Sequence, residues 1–423
     1  MRAWMKRSLS LAVAAVTLSV SAAYSQTPDP CPADLASESL DGRVRYAACL
    51  AGSAAVGEVL SRAIALEIAT APFGSTSGGF TFTFDPATRI WNRTATTFGP
   101  AFSERALTSG RGKVSAGVNV LRRDYDSFAG QDLNRLEVAR LQGATPPAVS
   151  TILDIGLRTE TLAVFGHVGV TDNFDVGVAV PLVRVQINGL SRAFRPGGGE
   201  FPFEALQARS SGVGDIALIG KYRFWQPVGG AASGAGLAAL VIVRVPTGNE
   251  ANLRGLGITR TLASLVGSGT FGRVSPHVTA GYEFWSQGIS IPTNFLENET
   301  VDAKDQVVYS AGVEVEVHPL LTANVDVLGR YLRGAGRVGT QEFRYAPASN
   351  QFGITSATVL AASGQGLNTL TIAPGFKLNL WGGALLSAHA LITPSGNGLR
   401  DRITPVVGLD WTFALPTVGR AQP

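Results

Sequence analysis

The chain has 423 residues, of which 45% are hydrophobic, 16% are charged and 50 are glycine, a charge share well below that of an ordinary soluble domain. Its 35 basic and 31 acidic residues are interspersed and leave a net charge of +4. With no dense Lys/Arg run and no aromatic platform among the basic residues, a nucleic-acid footprint is excluded.

Residues 1–25 carry Arg2, Lys6 and Arg7, then an apolar run, then small residues at Ala23 and Ser25. This is the layout of a cleavable secretory signal peptide. No later stretch reaches the roughly 18 consecutive apolar residues of a spanning helix. The two cysteines, Cys31 and Cys49, lie close together just after it; in an oxidising compartment they form a candidate disulfide, with free structural thiols as the alternative. Residues 26–75 are Ala-rich, and Val56, Leu60, Ile64 and Ile68 recur at helical spacing before Pro72 and Gly74. One or two short helices are expected there. They form either an appendage to the domain that follows or a plug within it.

From residue 76 to Phe413 the period changes to two. Alternating segments lie near 112–123, 153–170, 174–190, 211–225, 234–247, 258–270, 274–287, 305–318, 320–334, 367–380, 383–394 and 402–413, about twelve strands. A hairpin within 78–95 would raise the number to fourteen, and residues 414–423 form a C-terminal tail. The connections alternate between short and long. In 321–331, Leu321, Ala323, Val325, Val327 and Tyr331 oppose Thr322, Asn324, Asp326 and Arg330. Charged residues opposite aliphatic stripes, alternating loop lengths, low charge, an export signal and Trp225, Trp285, Trp381 and Trp411 near strand ends together point to an all-β fold, a transmembrane antiparallel β-barrel. In "FDVGVAVPLVRVQIN" the apolar parity is even through Leu182 and odd from Val183. With Pro181 at the break, a one-residue bulge is expected there.

Chemistry-bearing motifs are sparse. "GSGTFGRV" (267–274) fits a phosphate-binding glycine pattern, but no partner motif accompanies it and the stretch coincides with a turn. The four histidines are scattered singly, so no metal site, no cofactor site and no catalytic residue is assigned. The candidate lumen-lining residues are Lys221, Arg223, Arg244, Glu283, Glu314, Glu316, Asp326, Arg330 and Lys377. They either brace adjacent strands in pairs or meet solute.

"SSGVGDIALIGKYRFW" (210–225) followed by "VIVRVPTGNE" (241–250) resembles the strand, turn, strand, "PTG" loop signature of the outer-membrane family named after the phenol meta-degradation pathway. That family is similar to the FadL-type transporters of hydrophobic compounds. "FGPAFSERALTSGRGKVSAGVNV" (98–120) looks like the lead-in to the first strand of such proteins. The resemblance implies passive uptake of small hydrophobic solutes across a bacterial outer membrane. The expected partners are then the lipid bilayer, the outer-membrane assembly machinery and the solute. Two other functions fit a barrel: a structural or adhesive protein acting through its long loops, and an outer-membrane hydrolase using His277 near Ser275 and Glu283.

Overall fold

The computed structural model describes residues 39–50, 54–72, 74–75, 79, 82–85, 90–93, 95–143, 149–194, 200–227, 235–292, 300–344 and 354–414. The expected signal peptide, Cys31 and residues 415–423 lie outside these. Cys49 is not a free thiol, and the partner expected for it, Cys31, is among the residues not described.

Twelve strands make the wall: β1 (Lys113–Tyr125), β2 (Val149–Gly169), β3 (Phe174–Phe194), β4 (Ile216–Trp225), β5 (Gly236–Val245), β6 (Arg260–Ser268), β7 (Val274–Trp285), β8 (Gln306–His318), β9 (Leu321–Arg344), β10 (Ile354–Trp381), β11 (Ala384–Ile392) and β12 (Ile403–Ala414). Each pairs antiparallel with the next. The last closes on the first, from Val406↔Leu121 to Ala414↔Lys113, so the wall has no open edge. Strands Phe82–Asp85 and Ile90–Arg93 pair only with each other. The wall therefore has twelve strands and not fourteen.

Short turns at 170–173, 226–235, 269–273, 319–320 and 382–383 share one rim, called proximal here, with the start of β1 and the end of β12. The long connections share the distal rim. Two stretches expected to be loops, 191–210 and 335–366, are largely paired. β3 runs on to Phe194 and returns as Glu200–Val213, and β9 and β10 stay paired out to Arg344 and Ser356. In 354–366 Ser, Thr, Ala and Gly leave neither face an apolar stripe, and in 191–210 Pro196 and Gly197 to Gly199 interrupt the alternation, so the period does not carry through either stretch.

Outside the wall, Val120, Leu162, Val178, Leu182, Leu218 and Val278 are each 37–54% exposed. An apolar belt of that extent is stable against lipid and not against water. At the proximal edge Trp225, Trp381 and Trp411 also point outward. Trp285 does not. It is buried, and its indole N–H donates to Glu283 Oε1 at 2.9 Å.

The bulge expected in β3 at Pro181 is absent, since β3 pairs with β2 without a register shift from Gly169↔Asp175 to Ser150↔Phe194. The extra residue sits across the ladder, between Val213 and Ala217. Ala179 faces Ala217 but Leu182 faces Val213, and Gly214 N–H donates to Pro181 O at 2.8 Å. The parity break has another cause. Up to Leu182 the apolar face looks out at lipid; beyond it Val183, Val185 and Ile187 look inward and are buried, while Arg184 is exposed outside. The strand has left the belt, and its apolar face now meets a core inside the barrel.

That core is built on two helices, α1 (Leu40–Leu50) and α2 (Ala54–Ala69). Ser39 Oγ caps α1 by accepting from Gly42 N–H at 3.1 Å. Val56, Leu60, Ile64 and Ile68, the stripe legible in the sequence, are all buried. They pack with Leu153, Ile155, Leu157, Val185, Ile187 and other inner residues of the distal extensions. The helices thus occupy the distal mouth.

Candidate functional site in the barrel lumen

The proximal half of the lumen is filled by residues 95–112, which have no helix or strand of their own. Backbone N–H groups in such a buried segment need acceptors, and inward-facing side chains of the wall supply them. Asp326 Oδ2 accepts from Ala101, Phe102 and Ser103 at 3.1, 3.0 and 3.3 Å. Glu314 Oε2 accepts from Gly99 at 3.1 Å, and Asp175 Oδ2 from Ser109 at 2.8 Å. Lys377 Nζ donates to Pro100 O at 2.8 Å. The segment carries its own buried charges outward to the wall: Arg105 Nη1 lies 3.5 Å from Glu314 Oε2, and Glu104 Oε2 lies 3.6 Å from Lys221 Nζ. Unpaired, each of these ions would cost several kcal/mol in desolvation.

His277 belongs to the same cluster. Its Nε2 lies 2.8 Å from Asp326 Oδ1 and its Nδ1 3.5 Å from Glu314 Oε1. Ser275 Oγ instead meets Thr97 and Thr270, each at 3.1 Å. Both ring nitrogens of His277 are therefore turned to carboxylates that hold the inserted segment. Gly312 faces this pair, and a Cβ there would collide with both Asp326 and His277.

From the distal side, three wall arginines on three strands hold the C-terminal end of α2. Arg260 (β6) donates to Ala69 O at 2.7 Å, a cation on a helix carbonyl terminus. Arg123 (β1) pairs with Glu67 at 2.9 Å, and Arg330 (β9) pairs with Glu67 and bonds Thr70. Glu283 (β7) is the hub beneath. It accepts from Arg244 at 2.9 Å, Arg260 at 3.4 Å, the Trp285 indole and Gln306.

Between the helix end above and Phe102, Ser103 and Glu104 below lies a cavity of about 200 Å³. Ile219, Leu240, Ile242, Leu262 and Leu328 line it, with Thr279, Thr369 and Thr371 and the Arg/Glu groups just described. A smaller, mainly apolar cavity of about 30 Å³ lies distal to it, against Val59, Ala63, Leu66, Ile289, Ile291 and Val338. Glu67, Arg330 and Leu399 line both, so the ion pairs at the end of α2 stand at the junction.

The nine residues assigned to the lumen divide by this geometry. Arg244, Glu283 and Arg330 line the cavity. Lys221, Glu314, Asp326 and Lys377 are buried against the inserted segment. Arg223 is bonded to the turn at Asn173, and Glu316 sits at the proximal rim beside Arg273. Glu67, Glu104, Arg105, Arg123 and Arg260 join them in the lumen without a clear mark in the sequence. The available signal is a single carboxylate in the apolar stretch "IALEIA" at the end of α2 and the inward parity of Arg123 in β1. The glycine-rich "GSGTFGRV" is the β6–β7 turn, bridged from Phe271 to Val274.

No protein-family model matches the chain, and no curated protein matches it. Among solved structures it is similar to an outer membrane channel from Pseudomonas putida F1, at 11% identity over 73% of this chain and 98% of that one, with a TM-score of 0.43. It is also similar to a Pseudomonas aeruginosa FadL homologue, at 13% identity over 80% and 96% of the two chains (TM-score 0.32). A third is the Ralstonia pickettii toluene transporter TbuX, at 11% identity over 72% and 90% (TM-score 0.32). FadL-type proteins are thus among its structural neighbours, and the role of the lumen is left to its own geometry.

Proposed function

We propose that the chain is an outer-membrane channel through which a small hydrophobic solute passes passively. The observation that carries this reading is the cavity of about 200 Å³ walled by Ile219, Leu240, Ile242, Leu262 and Leu328 at the centre of the barrel. Apolar cavities of about 150 Å³ take up a single aromatic ring, and burial of apolar solute surface supplies about 25 cal/mol per Å². A water-filled porin lumen would have no use for such a chamber, nor for a segment and a helix pair that fill the lumen on either side of it. The hydrolase alternative gains nothing from His277, whose ring nitrogens both face carboxylates.

The proposal is tested by solute flux into proteoliposomes together with planar-bilayer recording. The wild type should carry small apolar probes and show no steady ion conductance. Leu240→Trp, which fills the cavity, should lower flux at least about tenfold while the barrel still shows heat-sensitive gel migration. Undiminished flux in this variant, or a steady open pore in the wild type, would overturn the reading.

A further inference from the structure

The outer surface of β1, β2, β3 and the strand Glu200–Val213 changes character within one step of the side-chain alternation. In one transverse row, Val120, Leu162, Leu182 and Val213 are neighbours; in the next they are Arg122, Glu160, Arg184 and Ser211; in the third, Asp124, Arg158, Gln186 and Arg209. Successive rows are separated by two residues, or about 7 Å along the strand. The apolar belt therefore ends against a charged sector four strands wide.

The charges in that sector do not cancel. Arg122, Arg158, Arg184 and Arg209 stand against two carboxylates, Asp124 and Glu160. Asp124 takes the Nε–H of both Arg122 and Arg158, and Glu160 takes Arg184 Nη1 at 3.5 Å. The terminal Nη groups of Arg122 and Arg158 make no hydrogen bond among the described residues, and Arg209 has no ion pair among them. The side chains of Arg122, Arg158 and Arg184 are 49%, 43% and 57% exposed. On β7 and β9 the distal edge of the belt carries Tyr282, Phe284 and Tyr331 outward, and Arg333 donates to the Tyr282 hydroxyl at 2.9 Å. A concavity of about 390 Å³ runs down the outside of the Arg sector, with Val120, Leu162 and Leu182 below and Arg122, Arg184 and Glu160 above. A second groove, at Arg184, Gln186 and Arg209, continues it upward.

We infer that this outer groove is a docking site for a phosphorylated lipid of the distal leaflet, its acyl chain against Val120, Leu162 and Leu182 and its phosphate on Arg122, Arg158, Arg184 and Arg209. Guanidinium groups match phosphate oxygens two by two, which makes Arg the residue for this contact. A ladder of cross-strand ion pairs built only to brace the wall would need equal numbers of acids and would have no use for Arg209. The site lies outside the barrel and is independent of what passes through the lumen.

The test is native mass spectrometry of the detergent-purified full chain mixed with a bis-phosphorylated glycolipid, and separately with the same lipid after enzymatic dephosphorylation. The wild type should retain the phosphorylated lipid, and the combined Arg122→Gln, Arg158→Gln, Arg184→Gln, Arg209→Gln variant should retain at least about a hundredfold less, each Arg near a lipid phosphate contributing about 1 kcal/mol. Arg209→Gln alone breaks no ion pair among the described residues and should still lower retention about fivefold, which keeps the test valid if the combined variant fails to fold. Equal retention by the wild type and Arg209→Gln, or equal retention of the dephosphorylated lipid, would overturn the inference.

Discussion

Asp326 is the acceptor for three successive backbone N–H groups of the inserted segment and for His277. Its removal leaves the three backbone groups without their acceptor and His277 with Glu314 alone. Removing one member of a buried charged network costs about 3–5 kcal/mol, because the remaining groups stay buried and unpaired. Asp326→Ala should therefore release residues 95–112 from the proximal lumen before it unfolds the wall, whose ladders it does not touch. The expected signature is ion conductance in planar bilayers that the wild type lacks, with barrel migration on gels retained. A variant that unfolds without ever conducting would show that the segment is part of the wall's own stability. Gly312→Val should give the same phenotype by a different route, since its side chain would be forced into the space where Asp326 and His277 meet. At this scale the sequence announced the carboxylate on the lumen face of β9 but not its backbone partners, which lie more than 220 residues away along the chain.

Helix α2 shows what could and could not be read at the level of elements. Its stripe of Val56, Leu60, Ile64 and Ile68 follows the helical period and is buried as that period implies. The twelve wall strands were legible for the same reason, since lipid on one side and a packed lumen on the other impose a strict period of two. Residues 95–112 carry no period at all. Their conformation is dictated by acceptors on β3, β8 and β9, so nothing local to the segment could place it inside the barrel. The docking of α2 was likewise hidden, because it rests on Glu67 meeting Arg123 and Arg330 from strands far away in sequence. Glu67→Gln tests that docking. It keeps the shape and removes the charge, and a hydrogen bond between charged groups is worth about 1.5–3 kcal/mol. Amide exchange across residues 54–69 should then quicken about tenfold or more, with little change in the strands. Solute flux should rise as well, since these ion pairs stand at the junction of the two cavities. Unchanged exchange in α2 would mean that the apolar core alone fixes the helix.

For the molecule as a whole, the change of parity along β3 sets where the bilayer lies. Phe174, Val176, Val178, Val180 and Leu182 face outward in succession, a run of roughly 27 Å along the strand, or roughly 20 Å along the barrel axis at a tilt of about 40°. Asp172 and Arg184 bracket it, and Val178 stands at its centre. A strand with alternating residues reads the same whether its apolar face meets lipid or a protein core. It was the switch between the two, misread from sequence as a bulge, that held the information. The placement makes a paired prediction. Val178→Arg puts a cation against the middle of the hydrocarbon and should cost about 2–4 kcal/mol in urea unfolding from phosphatidylcholine vesicles. Gln186→Arg lies on the same outward face of the same strand, eight residues further on and above the belt. It should change stability by less than about 0.5 kcal/mol, as an ordinary surface substitution does. Equal costs at the two positions would place both in the same medium and remove the basis for the belt, whereas the predicted difference requires that β3 pass from lipid to water between them.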